Sequence, residues 1–207
     1  MVSFLLKKGA NVHQNKDELL RHSAKSGFEE IVKTAVAFKA VVTEYDNYAI
    51  RYAARSQFPK IVKFLHTKGA DLHVRNEVIM RTAAEQGNLE ILTYCIENGA
   101  NVGTYKHHAL RHAVKGNHVG CVRYLLERGA DIHIYKEYVL RTSAKENFEE
   151  IFRMALNYGA KTDLEMEYAL RESGYNGHTA IFKTLIEPPY NADVTVYKTW
   201  ILSFDRK

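Results

Sequence analysis

The sequence predicts an all-α solenoid of stacked helix-turn-helix repeats, and three observations support this fold class. The same residue types recur at an interval of 30 residues along the chain. Each interval contains two short segments whose apolar residues follow helical spacing. In most intervals a glycine or an asparagine separates the two segments. A period of about 20 to 50 residues with matched apolar positions indicates a stack of repeats that share one continuous core.

An arginine column sets the period of the repeat. Its members are Arg21, Arg51, Arg81, Arg111, Arg141 and Arg171. An apolar residue precedes each arginine, and a small residue follows it three positions later. Ten positions after the arginines stand Ile31, Ile61, Ile91, Cys121, Ile151 and Ile181. Matched apolar positions of this kind are expected to form the core between successive repeats.

Each repeat is expected to contain two helices, which in the second full repeat cover residues 47–56 and 59–68. The positions between the helices hold Gly27, Gln57, Gly87, Asn117, Asn147 and Gly177. The positions after the second helix hold Gly9, Lys39, Gly69, Gly99, Gly129 and Gly159. Glycine and asparagine tolerate the left-handed backbone that ends a helix. Lys39 is the exception. We expect it to lower the free energy of unfolding by on the order of 1 kcal/mol and to weaken the junction between repeats 13–42 and 43–72.

Two blocks carry a resemblance to a known family. Residues 87–102 (GNLEILTYCIENGANV) and 117–132 (NHVGCVRYLLERGADI) resemble the second helix and following turn of an ankyrin repeat. The common ankyrin repeat has 33 residues and opens its first helix with Thr-Pro-Leu-His, whereas this chain has shorter repeats that open with residues such as Tyr48-Ala49-Ile50-Arg51. This variant is similar to the ankyrin families of giant, mimivirus-like DNA viruses that infect amoebae. The resemblance implies an ankyrin solenoid with shortened finger loops.

One array is expected to cover residues 1–207. The predicted repeats are 13–42, 43–72, 73–102, 103–132, 133–162 and 163–192, with half repeats at 1–12 and 193–207. The half repeats suggest three possibilities: a fragment of a longer repeat protein, minimal caps, or ends that pair between chains. Near the starts of the first helices, side chains are expected to cap the helix or to complement its dipole. These side chains belong to Asp17, Asn47, Glu77, Glu137 and Glu167.

The arginine column allows two interpretations. In the structural one, each guanidinium bridges loop carbonyls or acidic groups of a neighbouring repeat, a task that suits its five donors. In the functional one, the column is a basic stripe for phosphates or acidic partners. Strict recurrence favours the structural ladder, because a residue that binds a partner need not recur in every repeat.

Catalysis and cofactors are not expected. The sequence contains no glycine-rich phosphate loop, serine-centred elbow or paired-carboxylate motif. His108 and His112 could share a helix face but lack an obvious third ligand, so no metal is predicted. Cys95 and Cys121 stand among apolar neighbours and are expected to be buried, inert thiols. We therefore predict that the chain is not an enzyme and takes no small-molecule substrate.

Localisation is expected to be intracellular. No stretch of about eighteen apolar residues is present, so no membrane association is predicted. The N-terminus does not resemble a signal peptide, and the two cysteines follow no disulfide or metal spacing, which favours a reducing compartment. If the chain is viral, this compartment is the cytoplasm of the host cell.

The resemblance implies a protein-binding scaffold that uses its finger loops and the exposed, concave side of its first helices. The expected contact residues at the fingertips are Tyr45, Arg75, Tyr105 and Tyr135. Those on the first helices are Tyr52, Arg55, His112, Lys115 and Lys145. The expected partner is a protein, and a host protein if the chain is viral. Two alternatives stay open: binding of nucleic acid or another polyanion to a Lys/Arg/Tyr face, and a nonfunctional fragment of a larger repeat protein.

Overall fold

The computed structural model describes residues 1–15, 17–160, 163–190 and 192, and within these ranges the chain forms helices and no strands. The helices are α1 (Val2–Lys7), α2 (Glu18–Ser26), α3 (Glu29–Ala37), α4 (Glu44–Arg55), α5 (Pro59–Thr67), α6 (Val74–Glu85), α7 (Leu89–Glu97), α8 (Thr104–Lys115), α9 (Val119–Glu127), α10 (Ile134–Lys145), α11 (Glu149–Asn157), α12 (Asp163–Tyr175) and α13 (Thr179–Ile186). The all-α prediction is confirmed. The C-terminal half repeat predicted at 193–207 lies outside the described residues.

Two compact bodies make up the chain, Met1–Ala109 and Leu110–Lys207. In the N-terminal body the first helices α2, α4 and α6 pack in sequence, and the second helices α3, α5 and α7 form a layer beside them. In the C-terminal body α10 packs against α12, and α11 contacts both α9 and α13. Each body is thus a stack of helix pairs, while a single array over residues 1–207 stays a prediction.

The repeating apolar positions form the core of each body. The residues that precede the arginines are buried in every repeat: Leu20, Ile50, Met80, Leu110, Leu140 and Leu170. Alanine three positions after the arginine is also fully buried, as at Ala54 and Ala144. Small side chains at this position allow neighbouring first helices to approach closely. The sequence periodicity therefore identifies the layer that holds successive repeats together.

The helix ends adopt the left-handed backbone that the sequence predicts. Gln57, Asn117 and Asn147 have φ angles of 62°, 54° and 60° between their helices. Lys39 also adopts a positive φ, of 72°, where the other repeats have glycine. The following Ala40 amide donates to the carbonyl of Ala35 over 3.0 Å, which closes the end of α3.

The helix starts differ from the prediction of side-chain capping, whereas Glu77 and Glu137 do lie in the first turns of their helices, where they complement the dipole. Asp17 is the N-cap of α2, yet its side chain makes no capping hydrogen bond. It instead lies 2.9 Å from the His13 ring nitrogen. The side chain of Asn47 accepts a hydrogen bond from the Asp71 amide at 2.7 Å, across to the next loop. These side chains therefore contact loop segments, and the backbone at both positions is left-handed rather than extended as at a usual N-cap.

Candidate functional site

The fingers between repeats end in short left-handed turns. Three successive residues adopt positive φ angles between 46° and 63° in each of four fingers. These turns are residues 45–47, 75–77, 105–107 and 135–137. A non-glycine residue in this conformation costs about 1–2 kcal/mol, so contacts from the surrounding structure must hold the turn. The sequence gives no glycine here to signal it, and the turns were not predicted.

Two arginines of the column supply contacts that hold the turns at 45–47 and 75–77. Arg51 donates from Nε to the carbonyl of Asp46 over 2.7 Å and from Nη2 to that of Tyr45 over 3.1 Å. Arg81 makes the equivalent bonds to Asn76 and Arg75 at 3.1 and 3.2 Å. The acceptors lie five and six residues before the arginine, in its own repeat. The expectation of acceptors in a neighbouring repeat was therefore wrong for these two arginines.

The neighbouring repeat contributes aromatic rings instead. Arg21 lies 4.6 Å from the ring centroid of Tyr45, and Arg81 lies 4.6 Å from that of Tyr105. In the C-terminal body Arg111 lies 4.9 Å from the ring centroid of Tyr135. A guanidinium over a tyrosine face is attractive, and more so where water is partly excluded. Each fingertip tyrosine is therefore held in place by the arginine of the preceding repeat.

The fingertip tyrosines remain accessible although they are held. Tyr45, Tyr105 and Tyr135 expose 47%, 55% and 49% of their surfaces. The fourth tip residue, Arg75, forms an ion pair through Nε with the Asp46 carboxylate of the preceding finger. In the same body, Asn76 Nδ2 donates to the Tyr105 hydroxyl over 3.2 Å. Adjacent fingertips of the N-terminal body are thus connected side chain to side chain.

The first helices carry the remaining candidate residues. In the N-terminal body the rings of Tyr48 and Tyr52 stack with centroids 3.9 Å apart, and Lys25 lies 5.8 Å from the Tyr52 centroid. Burial raises the pKa of Tyr48, and the adjacent Tyr52 adds to this rise. Arg55 is exposed on the last turn of the same helix. Together they form a surface of cations and aromatic rings beside the fingertips.

In the C-terminal body two of the predicted residues lie in one groove. Lys115 and Lys145 line it. The groove also contains Arg141 of the arginine column and four residues that were not proposed for binding, namely Tyr138, Thr142, Glu146 and Tyr168. Tyr48, Tyr138 and Tyr168 share one repeat position, three residues before the column arginine. The recurrence of tyrosine at this position could have identified Tyr138 and Tyr168 from the sequence, but the position holds other residues in the remaining repeats. The third predicted residue, His112, is half-buried on α8 and already has an interaction partner.

Histidine side chains pair with carboxylates in alternate repeats. The ring nitrogens of His13, His73 and His133 lie 2.9, 3.0 and 2.8 Å from carboxylates four residues later. Glu77 also accepts the Asn101 amide at 3.3 Å, so its side chain reaches the next loop. In the part of the chain that the structure describes, no group of three or more His, Cys, Asp or Glu side chains could hold a metal ion. The pairs thus serve as loop contacts.

Both cysteines are expected to resist thiol reagents in the folded protein. Burial raises the pKa of Cys95 to about 12 and that of Cys121 to about 11. The nucleophilic thiolate is therefore scarce at neutral pH, and the buried sulfurs are inaccessible. Ellman's reagent at pH 8 should react with neither thiol in buffer and with both in concentrated urea. Rapid reaction of either thiol in buffer would contradict its burial.

Comparison with known proteins identifies the family. A family model described as ankyrin repeats (3 copies) matches residues 1–76 and 75–136. No curated protein matches the chain. No helix among the described residues is long and apolar enough to cross a membrane. The family match covers more than half of the sequence and agrees with the paired helices and their glycine-marked ends. The chain belongs to the ankyrin-repeat family.

Proposed function

We propose that this protein is a scaffold that binds a partner protein through its fingertips and the exposed side of its first helices. Ankyrin repeats are generally protein–protein interaction modules, which supports the class of partner. The observation that carries the proposal is the presentation of three half-exposed tyrosines whose rings are held by arginines of the preceding repeats. Tyrosine and arginine are favoured interface anchors.

Pre-ordering of the fingertips explains why such short fingers can serve for binding. A side chain that is fixed before association loses less conformational entropy when the partner arrives. At Tyr45 the backbone of the turn is held by hydrogen bonds from Arg51, and the ring is held by Arg21. At Tyr105 and Tyr135 the ring is held by the arginine of the preceding repeat. We therefore assign the contact roles to Tyr45, Tyr105 and Tyr135, with Arg75 as a charged tip.

The origin of the partner follows from the resemblance of the repeat. The shortened repeats and their opening motif are similar to those of giant-virus ankyrin families. On this resemblance we propose that the partner is a host protein and that the chain acts in the host cytoplasm. The resemblance supports the choice of an amoebal lysate as the first source of partners.

Capture of a partner is expected to depend on the fingertip rings. Replacing Tyr45, Tyr105 and Tyr135 together with alanine should weaken binding by at least roughly tenfold, because truncated interface anchors commonly cost more than 1 kcal/mol each. The measurement is affinity capture from an amoebal lysate, with bound proteins identified by mass spectrometry. Binding of the identified protein is then titrated directly.

A matched phenylalanine variant separates recognition from folding. The Tyr→Phe triple variant keeps the rings that the arginines cover and removes only the hydroxyls. We expect it to keep most of the affinity, apart from the contribution of the Asn76 bond to the Tyr105 hydroxyl. Far-UV circular dichroism checks that all variants are folded. Equal capture by the alanine triple variant and the original protein would show that the fingertip rings do not contribute to binding.

Binding of nucleic acid is the second candidate, because exposed cations accompany the tyrosines. Lys25 and Arg55 are exposed in the N-terminal body, and Lys115 and Lys145 in the C-terminal body. Binding of nucleic acid should weaken steeply with salt, because phosphate contacts release counterions. A titration of single-stranded oligothymidylate at two salt concentrations tests this candidate directly.

A further inference from the structure

The C-terminal body contains a basic groove that the fingertips do not share. It has a volume of about 450 Å³ and is lined by Lys115, Tyr138, Arg141, Thr142, Lys145, Glu146 and Tyr168. These residues come from the end of α8, from α10 and the residue after it, and from α12. Three of the side chains are cationic and one is anionic, so the groove has an excess of two positive charges.

The cations of the groove form no ion pair with an acidic side chain of the described residues. In the described ranges, neither Lys115 nor Lys145 has an acidic side chain within ion-pair distance, and Arg141 has no hydrogen-bond acceptor. This differs from Arg51 and Arg81, whose donors are occupied by the carbonyls of their own finger. The donors of Arg141 therefore remain available to a ligand.

Aromatic packing orients Arg141 for recognition. The guanidinium lies 4.8 Å from the ring centroid of Tyr168, which also has Arg171 at 5.6 Å. The ring lies beside the guanidinium, and the N–H edges of the guanidinium have no acceptor among the described residues. These edges match the two oxygens of a carboxylate, which can accept two parallel hydrogen bonds. The flanking lysines supply point charges on flexible stems.

The arrangement favours a carboxylate-bearing peptide over a nucleic acid. A nucleic acid needs a track of cations along successive phosphates. The groove has only three cations, which lie around one site and do not form such a track. An acidic side chain can approach Arg141 while avoiding Glu146, and the Tyr138 and Thr142 hydroxyls can bond to peptide groups.

We propose that this groove binds an acidic segment of the partner protein, with carboxylate side chains placed against Lys115, Arg141 and Lys145. The inference rests on the proposed scaffold function and specifies the chemistry of one part of the bound partner. Two acidic side chains would neutralise the excess charge. Binding by this groove should therefore weaken as the salt concentration rises.

A labelled oligoglutamate peptide tests the groove on the full chain by fluorescence anisotropy. The Lys115→Glu/Lys145→Glu double variant should weaken binding on the order of tenfold, because attraction is replaced by repulsion. Arg141→Lys keeps the charge but loses the bidentate donor, and should reduce the affinity for oligoglutamate by a smaller factor. The control is Lys60→Glu/Lys183→Glu, which changes two exposed lysines outside the groove and alters the net charge equally.

Four outcomes would overturn the proposal. The first is that oligoglutamate shows no saturable binding, and the second is that the groove variant binds it as tightly as the original protein. The third is that both double variants weaken binding equally. The fourth is that oligothymidylate with the same number of charges binds more tightly and in a groove-dependent way.

The scaffold function is tested separately. If the groove variant still captures the same partner from lysate with unchanged affinity, only the groove assignment is lost. If oligoglutamate binds but no protein is captured, the scaffold function is lost.

Discussion

Replacing Phe152 with alanine is expected to lower the free energy of unfolding by about 3–5 kcal/mol. The side chain is fully buried and is the largest such group in the described part of the chain. It lies on α11, which packs against α9, α10 and α13 within the C-terminal body. Truncation removes its contacts with these helices and leaves a cavity that the rigid helix stack can fill only partly.

Urea titration followed by far-UV circular dichroism measures this loss, and hydrogen exchange of the α11 amides reports it locally. The same substitution at Phe28 is the control, because that side chain is 58% exposed. The Phe28→Ala substitution should lower the free energy of unfolding by less than about 1 kcal/mol. Similar losses for the two variants would mean that Phe152 does not occupy the core.

Replacing Asn47 with alanine is expected to lower the free energy of unfolding by about 2–3 kcal/mol, for two reasons. The side-chain oxygen accepts the Asp71 amide, which would lose its acceptor in a partly buried site. The residue also has a φ of 56°, which asparagine tolerates better than alanine. Because Asp71 begins the next finger, the substitution should loosen the connection between two successive repeats.

The Asn47→Asp variant separates the hydrogen bond from other effects of substitution. Aspartate keeps an acceptor oxygen and also tolerates the left-handed backbone, so most of the stability should return. Hydrogen exchange of the Asp71 amide should accelerate in Asn47→Ala and stay slow in Asn47→Asp. Equal exchange in both variants would show that this hydrogen bond does not protect the amide.

The helix pairs and their breaks could be predicted because each depends on a short sequence pattern. The burial of Ile50 and Met80 follows from their fixed distance to the arginine column. The left-handed residues at Asn117 and Asn147 follow from the backbone preference of asparagine. Even Lys39, which departs from the pattern, adopts the φ that its repeat position predicts. Repeat position therefore overrides the preference of the individual residue.

The fingertip turns and the basic groove could not be predicted in the same way. Tyrosine, lysine and glutamate have no intrinsic preference that signals a left-handed turn, and at 45–47 the turn is held by hydrogen bonds from Arg51 outside the turn. The groove combines Lys115, Arg141 and Tyr168 from three helices, and its open donors become apparent only when the hydrogen bonds of each arginine are compared. A single sequence shows which residues recur but not which of the recurring donors remain unused.

The left-handed fingertip turns also restrict how the protein can diversify. None of the residues in the turns 45–47, 75–77, 105–107 and 135–137 is valine, isoleucine or threonine. Branching at the β-carbon is poorly compatible with this backbone, whereas tyrosine, arginine, asparagine and lysine all occur in it. Position 75 shows that arginine can replace tyrosine while the turn is retained. Changes of binding specificity are therefore expected to come from exchange among unbranched side chains on an unchanged loop backbone.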